Sequence, residues 1–151
     1  MARMLTQPAP SRVWTPWTAL CAWWRRDTRS ERQTADGELL PSLDAAAEVA
    51  ARFAERVSVS EDSQPRANAA SICRWELLVL RDRVLGQDLG PRRHLIQMEI
   101  ARHLEAAAAA ARTLSNGYRF HSLDHVCDGG QALDDHLAAL ANLRPSDNAS
   151  R

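Results

Sequence analysis

Residues 91–117 read PRRHLIQMEIARHLEAAAAAARTLSNG. Gly90 and Pro91 open the stretch and Asn116-Gly117 closes it, the usual punctuation of a helix start and a helix stop. Between them Ile96, Ile100, Leu104, Ala107, Ala111 and Leu114 recur in steps of three and four, so one face is apolar throughout. The spacing predicts a long helix from Pro91 to about Ser115, capped by Asn116-Gly117. The run Ala106 to Ala111 adds helix propensity and almost no bulk. Such a smooth surface lets a neighbouring helix approach to the short end of the usual ~8–10 Å separation. The neighbour is either another helix of this chain or the same helix in a symmetric homodimer.

Working outward, the same period recurs on both sides. A helix is expected from Ser42, with Asp44 favourable to the dipole of its first turn. Its core stripe is Leu43, Ala46, Ala50, Phe53 and Val57, and Glu48 and Arg52 form an exposed i,i+4 pair. Ser58 to Arg66 reads as a loop. A helix from about Ala67 to Leu85 carries Ile72, Cys73, Trp75, Leu77, Leu78, Val79, Leu80 and Val84 around most of its circumference. That distribution marks it as the central, most buried element. After the long helix, a short piece from Phe120 to Cys127 is expected to stop at Gly129-Gly130. A last helix, Gln131 to Leu143, then places Leu133, Leu137, Leu140 and Leu143 on one stripe. No strand-like alternation interrupts the pattern. The fold class is all-α, a small bundle of about four main helices with an accessory N-terminal Trp-rich helix.

Length and composition agree with one small domain. The chain has 151 residues, 19 basic and 19 acidic, and every basic residue except the histidines is Arg. Without Lys there is no P-loop lysine, Schiff base or kinase-type Lys–Glu pair. Twenty-six Ala and only three Tyr plus Phe point to a GC-rich, bacterial coding sequence. Cys21, Cys73 and Cys127 are odd in number and widely spaced, which indicates neither a disulfide framework nor a cysteine-rich zinc module and fits a cytoplasmic setting. Three stretches follow: residues 1–37, a segment with a short Trp/Arg helix; 38–144, the bundle; and 145–151, a tail without expected structure.

Two constellations bear on function. In the first, Trp14, Trp17, Trp23 and Trp24 lie close together and are followed by Arg25, Arg26, Arg29 and Arg32. Thr15-Pro16 suits a helix start, and Trp17, Leu20, Cys21 and Trp24 then share a face. Residues 1–33 hold six Arg against two acids, whereas the remainder holds 13 Arg against 17 acids. Trp and Arg are hot-spot residue types, which makes Trp14, Trp17, Leu20, Trp24, Arg25 and Arg26 candidates for binding a protein partner. The same residues suit docking on the chain's own acidic bundle or on a membrane surface. The apolar part is too short to span a bilayer and lacks a signal-peptide layout. Nucleic acid ranks below these partners, because the chain is neutral overall.

The second constellation is FHSLDHVCDGGQALDDH, residues 120–136. If 120–128 is helical, His121, Asp124, His125 and Asp128 share one face, and His121, His125 and Asp128 could hold zinc or iron. The opposite side carries an apolar stripe of equal quality, Phe120, Leu123, Val126 and Cys127, so an ordinary amphipathic helix with a solvated polar face explains the same letters and is the preferred account. Glu99 and His103 have the wrong order and spacing for a di-iron bundle. His94 and His136 read as boundary residues, and His103 as a satisfied interior histidine. His121-Ser122-Leu123 resembles the opening of the phosphorylatable helix in histidine-phosphotransfer domains, which are themselves four-helix bundles. Asp124 and His125 stand where those domains carry Lys and Gly.

The expectation is therefore a non-catalytic helical protein that works by protein–protein interaction, as an adaptor, chaperone-like or regulatory subunit, with no cofactor. The alternatives are a metal-binding or phosphotransfer bundle using His121 and His125, and a peripheral membrane protein.

Overall fold

The structure, a computed structural model, describes residues 37–144. The Trp/Arg segment and the tail after Arg144 lie outside the described residues. Four helices follow one another: α1, Leu40–Ser58; α2, Ser63–Leu85; α3, Pro91–Arg119; and α4, Leu123–Asn142. The described residues contain no strand. The connections 59–62, 86–90 and 120–122 are short, so successive helices run antiparallel. α3 packs against α2 on one side and α4 on the other, and α1 lies on α2 and more lightly on α4. The result is an all-α bundle.

The core stripes fall where the period of three and four puts them. Leu43, Ala46, Ala50, Phe53 and Val57 of α1 are buried, as are Ile100, Leu104, Ala107, Ala111 and Leu114 of α3 and Leu133, Leu137 and Leu140 of α4. Polar groups that close the bundle are themselves partnered. The buried Gln97 side chain donates to the carbonyls of Val84 (2.6 Å) and Gln87 (2.8 Å), tying α3 to the end of α2 and the turn after it. Ser115 Oγ donates to the Ala67 carbonyl at 2.9 Å and meets Ser71 Oγ at the same distance, joining α3 to α2. Arg144 pairs with Asp44 where α4 returns to the start of α1.

Several sequence expectations need correction. α1 begins at Leu40 because Pro41 fits the first turn, where its missing N–H removes no bond. α2 begins at Ser63, so the expected loop shrinks to 59–62. α3 does not stop at Asn116-Gly117 but runs through to Arg119. Gly117 lies inside the helix and faces α4, where any side chain would collide: a Cβ would sit 2.7 Å from the Val126 backbone nitrogen. Likewise Gly129-Gly130 does not end a helix. A Cβ on Gly129 would sit 2.7 Å from the Leu114 nitrogen and 3.0 Å from the Ala110 carbonyl. Both glycines are contact residues of a very close α3–α4 pair, with Ala110 of α3 against Gly129, and Ala107, Ala108 and Ala111 are buried as well. The smooth face of the long helix is therefore used inside the bundle.

α2 departs furthest from expectation. Its buried stripe is Ala70, Cys73, Leu77, Leu80 and Val84. Ile72, Trp75 and Val79 do not enter the core, and α3, flanked on both sides, is the more buried helix.

Candidate functional site

Ile72, Trp75 and Val79 are three and four residues apart on α2 and 43%, 64% and 53% exposed. They form an apolar stripe turned away from the stripe that fills the core. Beside it, between α1 and α2, runs a groove of about 330 Å³ lined by Trp75 and Val79 together with Ala45, Val49, Glu48 and Arg52. Its wall is held in shape by charge. Arg52 reaches Glu76 at 3.3 Å and Glu48 at 3.8 Å, and Arg56 reaches Glu76 at 3.8 Å. Arg83 lines the groove as well. An indole standing over a groove with charges of both signs on its walls has the composition of a protein-binding hot spot with a polar rim.

A second apolar surface lies at the opposite side of α2. Leu85, Leu95 and Met98 line a groove of about 500 Å³ with Arg81, Arg102 and Glu105, and Leu95 is 81% exposed. At the α3–α4 turn Phe120 and Leu123, read from sequence as part of an apolar stripe, are both exposed. Among the described residues no helix is long and apolar enough to cross a membrane.

The residues expected to bind a partner, Trp14, Trp17, Leu20, Trp24, Arg25 and Arg26, all lie outside the described residues. The expected metal face can be placed. His121 is not on a helix: it has φ 53° in the turn before α4, whose N-cap is Ser122. Its Nδ1 lies 3.3 Å from Ser63 Oγ at the start of α2. His125 is in the first turn of α4, where Ser122 Oγ lies 2.6 Å from its Nδ1 and accepts from its backbone N–H. The helical spacing that would align His121 with His125 and Asp128 therefore does not exist. Among the described residues no three His, Cys, Asp or Glu side chains gather as metal ligands.

A different histidine pair does form. His103 Nδ1 of α3 and His136 Nδ1 of α4 are 3.1 Å apart, with ring centroids 5.4 Å apart. Sequence reasoning placed His103 beside the core, as found, but made His136 a boundary residue. The signal available was that both sit one step off a leucine stripe, on helices joined by a short turn. Burial depresses the His103 pKa most, helped by Arg102 and His136 and opposed by Glu99. Elsewhere, burial pushes the Cys73 thiol up to about 12, with Glu76 adding to it, so this thiol stays protonated and inert.

No protein family matches the chain, and comparison with curated proteins and with solved structures finds no significant match.

Proposed function

We propose that this bundle is a non-catalytic interaction module that takes a helix of another protein onto the outer face of α2. The observation that carries the reading is the exposed stripe of Ile72, Trp75 and Val79 over the α1–α2 groove. A solvated helix normally turns polar residues outward. Here three large apolar side chains are left outside while the helix already fills the core with another stripe. An amphipathic partner helix would lay apolar side chains at i, i+3 and i+4 along the groove and meet Glu48, Arg52 and Arg83 with its flanking charges. Trp75 would be the anchor, because truncation of a central indole at such contacts removes about 2 kcal/mol or more. Adaptor, chaperone-like and regulatory roles all use this kind of contact, and a cytoplasmic, bacterial setting is part of the reading.

The test is selection from a displayed library of helical peptides against the immobilised full chain. Enrichment of peptides with a helical apolar stripe, lost with Trp75→Asp and retained with Leu95→Asp, supports the reading. Recovery of no such peptides, or of peptides indifferent to Trp75, contradicts it.

A further inference from the structure

His103 and His136 come from different helices, yet their Nδ1 atoms meet at 3.1 Å. The far nitrogen of His103, Nε2, faces Glu99 Oε1 at 4.0 Å. At that distance the carboxylate acts on the ring through its charge and not through a hydrogen bond. One of the two Nδ1 atoms carries the hydrogen and donates to the other, the tautomer deciding which. The dimensions of the histidine pair fit a metal ion. Two nitrogens 3.1 Å apart, each about 2.0–2.1 Å from one zinc-sized ion, subtend about 100° at it, between the octahedral and tetrahedral angles.

We propose that His103 and His136 form a two-histidine site for a divalent ion of the imidazole-preferring class, zinc, nickel or copper, which clips α3 to α4. Both donors are neutral nitrogen, a set that suits these ions and not calcium or magnesium. The pair is partly exposed, so water reaches the ion and completes its shell. On binding, the ring that carries its hydrogen on Nδ1 moves it to Nε2, so that both Nδ1 atoms face the ion. Arg102 stands nearby as an opposing charge and Glu99 as a favourable one.

The experiment is calorimetric titration of the full chain, purified without a histidine tag, with Zn2+ at neutral pH. One equivalent is expected to bind. His136→Gln should abolish binding, and His125→Gln should leave it unchanged. No heat of binding, or binding that survives His136→Gln, overturns the proposal. If His136→Gln fails to fold, Ni2+ added to the unmodified chain decides through proton NMR. Paramagnetic broadening of the His103 and His136 rings ahead of the other histidines upholds the site, and broadening of His94, His121 or His125 first, or of none, overturns it.

Discussion

Glycine and histidine carry the sharpest consequences at the scale of single residues. Gly129 touches the α3 backbone at Leu114 and Ala110, so an added methyl group meets atoms that cannot rotate away. Ala would gain up to about 1 kcal/mol of helix propensity, but forcing the two helices apart costs about 1–3 kcal/mol. The expected result of Gly129→Ala is a net loss, read as a lower urea midpoint. Gly86→Ala is the control, because its nearest neighbour would be the Asp82 carbonyl at 3.3 Å, and it should change the midpoint little. His103 predicts a pH effect. Its folded pKa is below the ordinary value of 6.5, mainly through burial, so near and below that value the unfolded chain binds more protons than the folded one. Its contribution is then fully present above pH 6.5 and is lost as pH falls towards the folded pKa. Unfolding midpoints across that window should fall with acidification less steeply in His103→Gln than in the unmodified chain. Equal slopes would remove His103 from the account.

At the scale of elements, the helices themselves were legible, because a period of three and four over long stretches has no competing reading. Their ends and their neighbours were not. Gly117 and Gly129 have the letters of helix stops, and only the presence of the other helix shows that they are kept for lack of a Cβ. The short turn at 120–122 fixes the antiparallel register, and that register brings His103 to His136. No local pattern encodes such a meeting across 33 positions. α2 failed for a different reason. Eight large apolar or cysteine side chains around one helix suggest a central position, but a helix in a four-helix bundle has two main neighbours and cannot bury its whole circumference. The surplus, Ile72, Trp75 and Val79, was therefore visible in the sequence as apolar residues, and its exposure was not. The metal face at His121 failed because α4 starts two residues after it, with Ser122 as the cap.

For the whole molecule, the bundle separates folding from binding across α2. One stripe, Ala70 to Val84, ties α2 to the core, and the other, Ile72 to Val79, contributes an outward surface beside the α1 groove. Conflict between a local pattern and the global fold commonly marks function, and this is the clearest such conflict in the described residues. The most direct measurement is urea unfolding of the full chain at low micromolar concentration, with Ile72, Trp75 and Val79 all replaced by Ala. A face that the fold does not use should cost about 1 kcal/mol or less in total. The account predicts a midpoint near that of the unmodified chain. A loss of about 3 kcal/mol or more, the range for truncating a buried large side chain, would show that the protein covers this face itself and would contradict a surface kept free for a partner.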